Sequence, residues 1–151
     1  MRTTLTLFAL SLALGCGPSF HHPTPSSFVE LEDQDDYDYR ALSADGMVLA
    51  VRELEHEPKG DLTFWSKAIE NHMRKRAGYA HLGSRDVKTS SGLGGKQLRF
   101  GHDRGQKPHL YIVTIFVTDD QIYLLEAGGT KEQMSKRESE LATSLAGFRA
   151  D

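Results

Sequence analysis

The sequence predicts an α+β domain in which helices cover a twisted antiparallel sheet. Two near-continuous apolar stretches, 109–118 and 121–127, are typical of central strands that are covered on both faces. Helical patterns with an apolar face precede and follow the strands, at 61–77 and 131–146. The connections after the first helix are short, which favours antiparallel neighbours and this fold class.

The first sixteen residues predict export from the cytoplasm. Arg2 precedes an apolar run from Leu5 to Leu14, and Gly15 follows with Cys16, the only cysteine of the chain. A positive start, a short apolar run and a small residue at the cut define a secretory signal peptide. A membrane-spanning helix is disfavoured because it needs roughly 20 apolar residues, about twice the length of this run.

The segment Leu12-Ala13-Leu14-Gly15-Cys16 resembles the lipobox of bacterial lipoproteins. It departs from the usual pattern at Ala13, where the family has leucine. The resemblance implies that residues 1–15 are removed and that Cys16 is the lipid-attachment residue, carrying palmitate-type acyl chains. It also implies anchoring in the cell outer membrane, facing the periplasm, because Gly17 and not aspartate follows Cys16. An ordinary secretory signal with an incidental cysteine is the alternative.

We expect residues 16–36 to form a lipidated cysteine followed by a flexible linker. Prolines and serines dominate its first part and acidic residues its end, a composition that buries little apolar surface. The pair His21-His22 has no third histidine or free thiol nearby, so we expect no metal site there. The folded domain is then expected to span residues 37–151.

The domain begins with a predicted hairpin and a helix. Two short apolar runs within 39–54 flank Asp45-Gly46, a strong turn signal. A helix follows from Asp61 or Thr63 to about residue 77, and its apolar face is expected to carry Phe64, Trp65, Ala68, Ile69, His72 and Met73. The cations Arg74-Lys75-Arg76 suit the last helical turn, where the dipole favours positive charge, better than a phosphate site.

Four strands and a last helix complete the prediction. The strands cover 79–89, 96–102, 109–118 and 121–127, with the last two in the middle of the sheet. The glycine-rich segment 90–96 lacks the spacing of a phosphate-binding loop, so we expect a hairpin connection. Thr130 and Gln133 form a capping-box signature for a helix from Lys131 to about Ala146.

The layout from Tyr39 to Phe148 resembles the PsbP/Mog1-type sandwich. The resemblance lies in Gly94-Gly95 before an alternating strand, then a long apolar hairpin and a helix that ends near 145–148. Proteins of this type act mostly as binding partners or accessory subunits, and the fold occurs in small bacterial envelope lipoproteins. It implies an α/β/α sandwich that serves as an interaction module.

No catalytic constellation is apparent in the sequence. The scattered histidines show no ligand spacing, and His102-Asp103 is better explained as an ordinary strand end than as a base with its orienting group. We therefore expect no enzymatic activity, catalytic residue, cofactor or metal. The net charge of −3 disfavours a nucleic-acid binder.

Two functions remain open. The first is a membrane-anchored envelope lipoprotein whose domain is a non-enzymatic accessory module that binds an envelope protein. The alternative is a carrier or sensor of a small apolar molecule. That molecule is expected between the helix that bears Trp65 and the strand that bears Tyr111 and Phe116.

Overall fold

The computed structural model describes residues 18–32 and 36–151 and is built around one large antiparallel sheet. The described residues form nine strands and three helices: β1 Phe20–His21, β2 Phe28–Glu30, β3 Tyr39–Ser43, β4 Val48–Glu55, α1 Leu62–Lys75, β5 Ala80–Lys88, β6 Gly94–Arg104, β7 Lys107–Val117, β8 Gln121–Thr130, α2 Lys131–Lys136, α3 Glu138–Ala146 and β9 Arg149–Ala150. The sheet has seven strands in the order β2-β3-β4-β8-β7-β6-β5, and β1 pairs separately with β9.

The strand order confirms the predicted position of the two most apolar strands. β7 and β8 pair along their length, from His109 opposite Thr130 to Val117 opposite Ile122, and each has a further long strand on its other side. Their side chains alternate between the two faces of the sheet and meet an apolar layer on each. The predicted α+β sandwich is therefore confirmed.

Helix α1 covers one half of one face. Asp61 caps its N-terminus, since the side chain accepts a hydrogen bond of 2.7 Å from the Phe64 amide. Trp65, Ile69 and Met73 follow at helical spacing and pack on a buried cluster that includes Phe100. Trp65 is partly buried against this cluster, on the apolar face that the helical spacing predicted.

The apolar face predicted for this helix needs a correction. Phe64 is 51% exposed, and Ala68 and His72 are also exposed, because the partly buried stripe is narrower and runs from Leu62 through Trp65. Phe64 instead packs edge-on against Trp65, with ring centroids 5.3 Å apart.

Helices α2 and α3 cover the opposite face, together with Phe148, which follows α3. Phe148 is fully buried, and its ring lies 5.3 Å from that of Phe116 in a stacked arrangement. The predicted capping box is present. The backbone N–H of Gln133 donates to the Thr130 hydroxyl oxygen, and the side-chain oxygen of Gln133 accepts from the backbone N–H of Thr130.

The last helix was predicted as one piece, and that prediction is wrong. The helix breaks at Arg137, whose backbone leaves the helical region while its guanidinium forms two hydrogen bonds of 2.9 and 3.0 Å with the Asp45 carboxylate.

Residues 18–30, expected to be flexible linker, pack against the domain; we call them the N-terminal strap. Phe20 is 8% and Phe28 6% exposed, so two phenylalanines supply the apolar area that the proline and serine content concealed. Ser19 donates to Glu53 through its amide and its hydroxyl. The division of the chain into signal peptide, linker and domain otherwise stays a prediction.

Candidate functional site

The candidate site is a groove beside α1 on the same face of the sheet. Helix α1 contacts β5, β6 and β7, and beyond it this face is open over part of β4 and β8. The opening has a volume of about 420 Å³. We call it the sheet groove, and its walls and floor include Tyr37, Arg40, Val48, Tyr79, Tyr111 and Gly128.

Small residues make the floor of the sheet groove. Val48 lies opposite Gly128 in the β4–β8 pairing, and Gly128 lies opposite Tyr111 in the β7–β8 pairing. A Cβ atom on Gly128 would lie 3.3 Å from the Tyr111 ring. The missing side chain therefore leaves the face of Tyr111 accessible from the groove.

A charged cluster lies in the centre of the sheet at one side of this floor. Arg52 on β4 donates a hydrogen bond of 3.3 Å from Nη2 to the Glu126 carboxylate on β8, and the Tyr111 hydroxyl also donates to Glu126. The Glu126 side chain is 9% exposed and that of Arg52 is 39% exposed. Such a carboxylate needs these partners, because a buried unpaired charge is costly.

Tyr37 packs against two arginine side chains, one of which belongs to the cluster. Its ring centroid lies 4.7 Å from the guanidinium carbon of Arg52 and 5.5 Å from that of Arg40. Its hydroxyl accepts a hydrogen bond of 3.3 Å from Arg52 Nη2. Cation–π contacts of this kind hold arginine side chains in fixed orientations.

Burial dominates the electrostatics of the cluster. It raises the pKa of Glu126 although Arg52 and the Tyr111 hydroxyl pull in the other direction. Burial also raises the pKa of Tyr111, and the nearby Glu126 charge raises it further, so this hydroxyl stays a hydrogen-bond donor. A perturbed carboxylate in a cleft marks a candidate functional site.

The far wall of the sheet groove brings two histidines together. His102 on β6 is the cross-strand partner of His109 on β7, and its ring lies 5.1 Å from that of Tyr79. The strand-end interpretation of His102 agrees with this position near the end of β6. Within residues 18–32 and 36–151, no three histidine, cysteine or acidic side chains are arranged to hold a metal ion.

The charged cluster of Arg52, Tyr111 and Glu126, which we call the groove cluster, was not predicted from the sequence. Arg52, Tyr111 and Glu126 are far apart along the chain and have no shared motif. A signal was nevertheless present, since Glu126 interrupts the apolar run 122–127 at a position where a central strand is buried on both faces. A charge at such a position indicates a buried partner.

The apolar pocket expected between α1 and the sheet is not found where it was placed. Trp65 and Tyr111 pack against the buried cluster under α1 that includes Phe100, whereas Phe116 lies in the cluster on the opposite face of the sheet. Neighbouring residues of a strand point to opposite faces, and 111 and 116 differ by an odd number of positions. A cavity of about 90 Å³ does exist on the α2–α3 side of the sheet; we call it the helix-side cavity.

The lipid-attachment prediction falls outside the described residues, because Cys16 and the whole signal segment precede residue 18. In the part of the chain that the structure describes, no helix is both long and apolar enough to cross a membrane.

Comparison with known protein families finds no match, and comparison with curated protein sequences finds no similar one. Solved structures share the fold. LpqN of Mycobacterium tuberculosis, described as involved in cell envelope biogenesis, superposes with a TM-score of 0.70 at 11% identity over 89% of this chain and 86% of its own. The PsbP of the cyanobacterium Synechocystis gives 0.62 at 10% identity, over 95% and 98%.

The Ran-binding protein Mog1p of Saccharomyces cerevisiae gives a TM-score of 0.56 at 14% identity, over 93% of each chain. These likenesses place the chain in the PsbP/Mog1 fold, as the sequence layout predicted. At such identities they show the fold alone.

Proposed function

We propose that this protein is a lipid-anchored component of the cell envelope. The lipobox-like segment that ends in Cys16 supports this, as does the structural likeness to LpqN, which is described as involved in cell envelope biogenesis. In this proposal acyl chains on Cys16 hold the protein to the outer membrane on its periplasmic side. Two or more chains give stable anchoring, whereas a single chain binds only marginally.

We further propose that the domain is a non-enzymatic interaction module that binds an envelope protein through the sheet groove. The observation that supports this is a groove of about 420 Å³ with polar groups beside its floor that are already ordered by the Arg52–Glu126–Tyr111 contacts. Rigid polar groups beside exposed aromatic faces favour recognition, because little entropy is lost when a partner docks. The carboxylate is committed to its two donors, which suits binding better than proton transfer.

Anchoring is tested on the membrane-extracted protein beside its Cys16→Ser variant. We expect the wild type to begin at Cys16, to carry the mass of acyl chains and to sediment with membranes, whereas the variant is soluble. A wild type that is soluble and unmodified would refute the anchor.

Groove binding is tested by photocrosslinking in whole cells. A photoreactive residue replaces Arg104 in the groove wall, or Arg76 at the exposed end of α1 as the matched control. We expect one discrete adduct from position 104, none at position 76, and loss of the adduct when Val48→Trp fills the floor. Identical adducts from both positions would contradict the proposal.

The second candidate function, a carrier or sensor of a small apolar molecule, is supported by the helix-side cavity. Its wall includes the apolar side chains of Leu49, Ile112, Leu125, Met134 and Leu145. A concave, mostly apolar site with some polar groups at its edge is the usual form of a small-molecule site.

A further inference from the structure

We infer that the helix-side cavity binds a short aliphatic carboxylate, with its chain among the apolar side chains and its carboxylate at Arg85 and Arg99. The inference rests on the second candidate function and is independent of the sheet groove. It depends on three properties of the cavity: its size, its polar groups and its charge.

The size of the cavity limits the chain. A cavity of about 150 Å³ accommodates a six-carbon ring, so the 90 Å³ found here accommodates about three to four carbon atoms. Leu125 and Met134 are 7% and 3% exposed, and they form opposite walls from β8 and α2. A longer chain would protrude into solvent and gain no further burial.

The polar groups at the sheet side form a relay that leaves donors unused. Arg85 Nε donates to Gln97 Oε1 at 2.8 Å, and Gln97 Nε2 donates to the Thr114 hydroxyl oxygen at 3.1 Å. Gln97 is 6% exposed and Thr114 is 2% exposed. Among the described residues, no acceptor is found for the Thr114 proton, the second Gln97 N–H or the Arg85 terminal nitrogens, so the relay offers donors to an acceptor-rich ligand.

The charge around the cavity selects an anion. Arg85 and Arg99 come from neighbouring strands, where Arg99 lies two residues beyond the cross-strand partner of Arg85 and on the same face. In the described part of the chain neither arginine forms an ion pair with a carboxylate. Glu138 is the one acidic side chain at this rim, since Glu126 is held by Arg52 on the other face.

A carboxylate fits these donors best because a guanidinium binds it with two parallel hydrogen bonds. The Arg85 orientation is already set by Gln97, and the aliphatic chain then replaces the void between α3 and the sheet. The occupant is thus small, singly charged and aliphatic.

The test is a set of NMR titrations on the full-length Cys16→Ser chain. This variant cannot be acylated and needs no detergent, which would compete for an apolar cavity. The probes are acetate, butyrate, octanoate and the neutral 1-butanol, with side-chain methyl shifts as the readout. We expect butyrate to bind about 15-fold more tightly than acetate, since each buried methylene contributes roughly fourfold. Octanoate should gain little beyond butyrate.

Variants assign the carboxylate position. Arg99→Gln is expected to weaken butyrate at least tenfold and to leave 1-butanol unchanged, whereas the matched exposed arginine change Arg76→Gln alters neither. Glu138→Gln is expected to tighten butyrate by removing a repulsive charge. All three positions are exposed or half-exposed, so the variants are expected to fold.

The outcomes separate the inference from the function on which it rests. If 1-butanol binds as tightly as butyrate, or Arg99→Gln leaves butyrate unaffected, the carboxylate assignment is wrong although the cavity still binds apolar molecules. If acetate binds as tightly as butyrate, the arginines bind anions without the cavity, and the inference fails. If no probe shifts the methyl groups around the cavity, the carrier function fails as well.

Discussion

Acid is expected to weaken the domain through one half-buried histidine of the N-terminal strap. Burial, and to a smaller extent the neighbouring charge of His21, lowers the pKa of His22 from 6.5 to about 4. Ser144 donates its hydroxyl proton to the Pro23 carbonyl at 3.0 Å, so it accepts from His22 Nε2 at 3.1 Å. The imidazole is therefore held neutral, with Nδ1 buried and unpartnered among the described residues.

The magnitude follows from linkage. The pKa of His22 is lower in the folded protein than in the unfolded chain. The protein therefore has its full stability above pH 6.5 and loses stability as the pH falls toward 4. Between pH 7 and pH 5 the loss of unfolding free energy is about 2 kcal/mol for a pKa change of this size. Glu126, whose pKa is raised, contributes with the opposite sign over its own titration, so the test is a difference between variants.

The assay is urea unfolding of the full-length Cys16→Ser chain at pH 7 and pH 5. His22→Gln retains an amide donor for Ser144 and cannot titrate, so its stability should fall by about 2 kcal/mol less than that of the parent. His21→Gln is the matched control, because His21 is exposed and the chemical change is the same. This account would be refuted if the stability of His22→Gln fell between pH 7 and pH 5 as much as that of the parent. It would also be refuted if the stability of His21→Gln no longer fell.

Three further changes test the packing and the charge cluster by the same unfolding assay at pH 7. Phe148→Ala removes a fully buried ring that contacts four aromatic side chains and should cost about 3–5 kcal/mol; a loss below 1 kcal/mol would contradict its central place. Gly95→Ala should destabilise because its Cβ would lie 2.6 Å from both a backbone carbonyl and a phenylalanine ring, whereas Gly94→Ala, with nothing within 4 Å, is the near-neutral control. Equal effects at the two glycines would show that the sheet yields at this point. Glu126→Leu should cost about 1–2 kcal/mol by removing the carboxylate partner of Arg52, which is 39% exposed and keeps its contact with Tyr37, and the double variant with Arg52→Met should recover part of that loss; additive losses would mean that the two groups are not coupled.

Local patterns predicted the elements of the fold because their causes are local. The turn at Asp45-Gly46, the Asp61 cap and the Thr130 capping box all depend on residues within a few positions. The central place of β7 and β8 also follows from their own composition. These predictions required no knowledge of distant contacts.

The predictions that were wrong depend on distant contacts. The strap packs because Phe20 and Phe28 find space beside α3 and the sheet, and the helix breaks where Arg137 reaches Asp45. Composition and helical periodicity describe neither event. The groove cluster likewise exists only after the sheet has brought Arg52 and Glu126 together.

The pairing of β1 with β9 has a mechanical consequence. A load applied at residue 18 is resisted first by the Ser19 hydrogen bonds with Glu53 and by a ladder of two residue pairs, while the seven-stranded sheet lies behind them. Under tension the β1–β9 ladder is therefore expected to separate before the seven-stranded sheet yields. Since His22 forms part of the wall of the helix-side cavity, a pull on this segment is expected to open the cavity before it disrupts the sheet.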